Sequence, residues 1–473
     1  MRITKSQILT VEYVTAIIGL LFYTGALGKL LVTSFHFPRP TITLIRYGIL
    51  LPGLVTFFLQ PKAVLNAILQ GKLAWIVMAM ATLSFAWSVN SGSSFGSIRT
   101  ELLPMSIFSL YLSIRFPLKL QFSILLIILQ FVSFVSIFYA IAVPSIGQHS
   151  AMTPWPGSWK GLFVHKNAFG SFMTLTAGMI FIKIWFTQHK QPIIFVPLLL
   201  LIIAALFSGS KGALILSQVF CILIFSYTLI RWRGKRGLIF IYILVVTSIL
   251  VIGILTAIWN PLMLAIGKDP TMSARTEIWK YIRLQLSSSP ILGFGRGAFW
   301  ITPRFLSGIW QATGDVPANA HNGFYELALD IGYLGLLVFF ASFFVNVGKA
   351  LKLAYKAKKP EYMWPLAFLT FIIMQNMLES FLMRQESFNW VMYLVVSSSL
   401  DKWNHDRQWL ENKEKTNQQS PTTEPLHRVL NPQFKPLYQL KAEAGVNQTE
   451  TSLPHSKLTD STMTRADLTG PKS

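Results

Sequence analysis

The run Ala318-Asn319-Ala320-His321-Asn322, followed at once by an apolar stretch over residues 323–346, marks the point where a polar loop returns to a hydrophobic segment. Working back from it, the polar, Arg-bearing stretch covers residues 260–322. Elsewhere apolar runs alternate with connectors of a few residues, too small to fold into a substrate site outside a bilayer. The chemistry is therefore expected in this loop.

Composition points the same way. Of 473 residues 52% are hydrophobic and 13% charged, and runs of about twenty apolar residues recur. That pattern predicts an all-α polytopic membrane protein. The first apolar segment follows only Arg2 and Lys5 and lacks a small-x-small cleavage site, so it reads as a first span and not as a signal peptide. One cysteine, Cys221, allows no internal disulfide and no thiolate cluster for a metal. The formal charge is +22. Residues 401–473 hold ten Lys/Arg and nine Asp/Glu, so almost all of the excess lies upstream, in short connectors. The positive-inside rule accounts for much of it, and nucleic-acid binding, which needs a basic face on a soluble domain, is excluded.

About twelve spans are expected, near 11–31, 41–60, 72–88, 101–114, 120–143, 168–187, 192–208, 212–230, 237–258, 323–346, 362–382 and 387–400. Basic connectors alternate so that both termini fall in the cytoplasm and the long loop outside. Four regions follow: a bundle at 1–258 of about nine spans, a periplasmic loop with short helices at 259–322, the last spans at 323–400, and a Gln/Thr/Asn/Pro-rich tail at 401–473 with the composition of cytoplasmic disorder.

Within the loop, Ser273 is a plausible N-cap for a helix to about Leu286. At about 100° per residue, Ile278, Trp279, Ile282 and Leu286 share a stripe with Arg275 at its centre. An arginine there either snorkels or pairs with Asp315 or Glu326, or its planar fork receives a phosphate. Gly293-Phe294-Gly295-Arg296-Gly297 lacks the ending of a P-loop and opens no βαβ unit. It reads as a tight turn with Phe299 and Trp300 in the interfacial aromatic belt. Asn322, Glu326 and Asp330 lie four apart on one helix face, which must look into the bundle or a wet cavity. His321 beside them is an ordinary hydrogen-bonded helix-end residue or a base. Arg99, His165, Lys166, Lys211, and Glu379 with Arg384 and Glu386 gather on the outer side, where basic residues are disfavoured; an anionic ligand is the simplest common cause. The absence of Asp-x-Asp and of ligand-spaced His/Cys disfavours a metal-dependent transferase.

At these residues the chain resembles the O-antigen ligase and O-antigen polymerase superfamily, and more closely the polymerase-like proteins of exopolysaccharide pathways. The resemblance rests on Leu83 to Ser88 followed by Arg99, on Gly161-Leu162-Phe163-Val164-His165-Lys166-Asn167, on Phe207-Ser208-Gly209-Ser210-Lys211, on Ser273 to Trp279, and on His321-Asn322-Gly323 through Asp330, Gly332 and Gly335. It implies a glycosyltransferase of the bacterial cytoplasmic (inner) membrane that needs neither cofactor nor metal and moves glycan from undecaprenyl diphosphate to a glycan or lipid-core acceptor. Under that resemblance Arg275 and Arg99 match arginines that bind the donor diphosphate, and His321 matches a histidine that activates or orients the acceptor hydroxyl. Ala274 replaces a common glycine and Asp330 a usual glutamate. Direct displacement with inversion is the expected chemistry. Polymerase is favoured over ligase. A small-anion transporter of the bicarbonate type is the rival, and would carry its charges at the bilayer midplane on broken helices. A scaffold for other polysaccharide-assembly proteins is a third reading.

Overall fold

The computed structural model describes residues 5–187, 195–210, parts of 212–226, 275–314, 316–355, 357, 359–384 and 387–419. These belong to one compact unit, Met1–Phe434. Lys211, Ser273, Ala274, Asp315, Glu386 and the span expected at 237–258 lie outside the described residues. What is described is helical, with a single isolated antiparallel bridge between Gln148 and Trp159.

Among the described residues four helices are long and apolar enough to cross a membrane: Pro40–Leu59, Leu118–Ala142, Lys166–Trp185 and Gly323–Ala354. Two bent pairs raise the number to six if each is one span: Leu9–Tyr23 with Ala26–Thr33, bent by 77°, and Pro61–Gln70 with Lys72–Ala86, bent by 98°. The expected count of about twelve is not confirmed. Hydropathy sums apolar residues and is blind to changes of direction, such as the turn at Gly25, where φ is 73°. It also counts helices too short to cross alone, including Leu103–Arg115, Phe195–Phe207 and Trp364–Leu378. The last is packed inside the bundle, with Trp364, Phe368, Leu369 and Phe371 nearly inaccessible.

Two segments read as connector or tail are helices. Pro61 at the first position starts Pro61–Gln70, which buries Val64 and Ala67. The last helix runs Phe388–Gln419, well past Leu400. Trp403 and Asn404 are buried, and Arg407 donates to the carbonyls of Leu353 and Tyr355. Those carbonyls end the Gly323–Ala354 helix, where a cation satisfies unpaired acceptors and the helix dipole together.

Gly323–Ala354 is itself broken. Ile331 (φ −136°, ψ 17°) and Gly332 (φ 71°, ψ −178°) leave helical geometry. The turn before residue 293 fills the gap: Tyr333 N–H donates to Pro290 O at 2.7 Å and Leu334 N–H to Ile291 O at 3.3 Å. A Cβ on Gly332 would stand 2.0 Å from Ile291 O, so glycine is required both for φ and for the close approach. Lys349, paired with Asp401 at 2.6 Å, marks the far end of the span. About 30 Å of helix, one hydrocarbon thickness, reaches from there back to Asp330. Residues 323–330 thus stand at the bilayer edge, and the loop builds its own small core against them from Ile278, Ile282, Leu286, Phe294, Phe305 and Ile309.

Candidate functional site

Glu379 follows the last turn of Trp364–Leu378 in extended conformation. Three other segments converge on its carboxylate. Asn167, from the start of Lys166–Trp185, donates Nδ2–H to Oε1 at 2.6 Å. Arg275, first residue of Arg275–Leu286, donates from Nη2 to Oε1 at 2.8 Å and from Nη1 to Leu378 O at 2.8 Å. His321 Nδ1 lies 2.9 Å from Oε2.

Burial alone would raise the Glu379 pKa. The hydrogen bond and charge of His321, with the charge of Arg275 and the amide of Asn167, outweigh it and hold the carboxyl below its ordinary range. An ionised carboxylate only accepts, so in the neutral imidazole the proton sits on Nδ1 and the lone pair on Nε2. The His321 side chain is 31% exposed. An imidazole fixed this way takes up a proton at Nε2 from a hydroxyl placed against it.

The backbone around His321 is fixed as closely. His321 has φ 50°, a left-handed conformation that costs a non-glycine residue about 1–2 kcal/mol. Asn319 Oδ1 accepts from His321 N–H at 2.9 Å, and Ser380 Oγ accepts from Asn322 N–H at 3.0 Å. Asn322 Oδ1 then caps the helix by accepting from Phe324 and Tyr325 N–H. On the other flank His165 caps Lys166–Trp185, its Nδ1 accepting from Asn167 N–H. Burial lowers the His165 pKa, with Glu379 opposing and His321, Lys166 and Arg275 adding to the shift. His165, Arg275 and His321 thus stand within electrostatic reach of one carboxylate, with Lys166 close to His165. Lys166 Nζ donates to Gly209 O at 3.1 Å and lies 5.4 Å from the Trp155 ring centre.

A second polar cluster lies apart. Arg296, from the glycine-rich turn, bridges Asp330 and Glu101 at 2.9 Å each and donates to Met383 O. Gly297 N–H donates to Asp330 Oδ1 at 2.8 Å. Glu326 accepts from Ala320 N–H at 2.6 Å and Trp300 Nε1–H at 3.0 Å. The row Asn322, Glu326, Asp330 therefore faces inward as its spacing demands, with each side chain taken up by the chain itself. Phe299 is no belt residue: it is 1% exposed and stacks on Phe305 at 4.5 Å, because the loop has a core of its own to fill. Arg275 pairs with Glu379 and not with Glu326, whose oxygens are already occupied. Arg99 is exposed on the turn Ile98–Leu102 and contacts neither cluster among the described residues.

Sequence reasoning named Glu379 only as an outer-face charge and missed its place at the centre. It missed Asn167 as a ligand of that carboxylate and Arg296 as an anchor. The signal for Arg296 was present: a carboxylate near the membrane, Asp330, requires a counter-charge.

The described residues thus define a multi-pass, all-α membrane protein with a polar site at one end of its bundle. Residues 196–340 match the sequence model of the family described as O-Antigen ligase. That match supports the O-antigen ligase and polymerase superfamily, and with it a membrane enzyme of bacterial O-antigen or polysaccharide assembly. Closer kinship with exopolysaccharide polymerase-like proteins is not confirmed by it. No curated protein matches the chain. The matched stretch takes in Arg275, Arg296, His321 and Asp330 and ends before Glu379.

Proposed function

We propose that the chain is a glycan polymerase acting on repeat units carried by undecaprenyl diphosphate at the outer face of the inner membrane. The observation that carries this reading is the Glu379–His321 pair, which leaves Nε2 of the partly exposed His321 unspent, with Arg275 on the same carboxylate and Lys166 next to His165. The acceptor hydroxyl oxygen attacks the anomeric carbon of the donor, and its proton passes to His321 Nε2. The bond from that carbon to the diphosphate oxygen breaks, and the electron pair leaves with the diphosphate. The spare N–H groups of Arg275 and the Lys166 ammonium offset the charge building there, a role for preorganised cations. One displacement inverts the anomeric centre. Arg99, Lys166 and His165 are assigned to donor binding, while Asn322, Glu326 and Asp330 act as positioning residues. Lys211 remains with the donor group on its sequence position alone.

A ligase would use the same donor chemistry on a lipid-core acceptor. The transporter reading loses support from the broken helix it invokes: the break at Ile331 and Gly332 is filled by the chain's own turn, and Asp330 at the bilayer edge is neutralised by Arg296. The test is deletion of the gene with product analysis, then complementation with His321→Ala and Arg275→Ala. Loss of long chains with single repeat units persisting is expected. Glycan lost only from the lipid core would mean a ligase, and intact glycan with impaired anion uptake a transporter.

A further inference from the structure

Beyond the Glu379 cluster, a second group of cations has no acid to balance it among the described residues. His149 lies within electrostatic reach of His165, Lys160, Lys166 and Lys29, and no carboxylate acts on it. Burial first, and then these cations, lower its pKa to about 4, so the ring is neutral at physiological pH. Its Nε2 accepts from Lys166 N–H at 3.2 Å, which puts the ring proton on Nδ1 as a donor. Lys29 spends one N–H on Phe163 O at 2.5 Å, and Lys160 has no side-chain partner among the described residues. The loop holding them is stiff: Lys160 and Gly161 N–H both donate to Gly147 O at 2.8 Å, and His149 N–H to Ser158 O at 3.0 Å.

The place of the group is as telling as its charge. Lys29 is on Ala26–Thr33, the short helix deflected by 77° from the helix before it. Tyr139 Oη donates to Ser34 Oγ at 3.0 Å, tying that helix to the end of Leu118–Ala142. On that helix Phe131, Phe134, Phe138 and Ile141 recur at helical spacing and are all exposed, an apolar face open to lipid. Lysines gathered without acids repel one another unless a multiply charged anion joins them, and a phosphodiester headgroup carries a single charge.

We propose that Lys29, Lys160 and the His149 ring N–H bind the diphosphate of a second polyprenyl-linked substrate, the acceptor, with its isoprenoid chain along the Phe134–Phe138 stripe. This rests on the polymerase reading for the identity of the lipid. The experiment is native mass spectrometry of the full chain in phosphatidylcholine nanodiscs, titrated with undecaprenyl diphosphate. Two lipids bind the wild-type protein and one binds Lys29→Gln/Lys160→Gln, whose affinity at the lost site falls about tenfold or more. Lys29→Arg/Lys160→Arg restores the second lipid, separating charge from misfolding. Equal binding by wild type and the glutamine variant overturns the proposal, as does a loss confined to added phosphatidylglycerol. His321→Ala keeps both lipids bound. Should that variant still elongate chains, the polymerase mechanism fails while the binding site stands.

Discussion

Two arginine–carboxylate clusters lie within one loop and its surroundings, and they are built for different ends. Around Arg296 the guanidinium and Asp330 are buried and Glu101 is partly so, and the bonds run from one part of the chain to another. Around Glu379 the carboxylate is equally saturated, but one of its donors is a histidine about a third exposed, whose second nitrogen has no partner among the described residues. Residue type does not separate scaffold from chemistry here. The unspent, accessible atom does.

The comparison can be broken most severely at Arg296. Arg296→Met strands Glu101 and Asp330 in a buried site, which costs about 3–5 kcal/mol, and thermal unfolding of the detergent-purified protein is expected to show that loss or outright misfolding. His321→Ala instead lowers the melting temperature by less than Arg296→Met, because Glu379 keeps Arg275 and Asn167, and slows elongation about 10²- to 10⁴-fold; a melting loss like that of Arg296→Met would erase the distinction between the clusters. Glu379→Gln turns an amide N–H toward Nδ1 and forces the proton onto Nε2, so elongation falls by the order of 10²- to 10⁴-fold, with partial recovery in Glu379→Asp. The same residue has a pH signature. Its folded pKa is depressed, so its contribution to stability is complete above the usual carboxylate range, about 4, and vanishes as pH falls through the folded value. Wild type should lose stability in that acid window relative to Glu379→Gln, and parallel melting curves for the two would count against the ionised carboxylate. The smallest effect is expected at exposed Arg99: Arg99→Gln leaves melting unchanged and lowers elongation at limiting donor about tenfold, whereas no change would remove it from donor binding.

The membrane class, the special status of the long loop and the inward row of Asn322, Glu326 and Asp330 were legible because each rests on local periodicity or composition. Arg275 and His321 were legible as polar residues in places that do not suit them. Their meeting point was not, since Glu379 lies more than fifty residues downstream, behind a helix that hydropathy treats as one more span. The same blindness hid the break at Gly332. A glycine so close behind eight helical residues reads as a small side chain, and only the arrival of Ile291 O against it shows why no other residue fits. Helices that bend or stop short likewise look like full spans when only apolar residues are summed.

The helix Phe388–Gln419 bears on how the protein should be handled. A truncation drawn where hydropathy falls, at Leu400, would cut through a continuous helix and discard Trp403, which packs on Trp364, and Asn404 and Arg407, which close the end of the broken helix that begins beside His321. Anyone trimming the chain for crystallisation or fusing a reporter to it should cut after Gln419. A shorter version that fails to make glycan would say nothing about the tail.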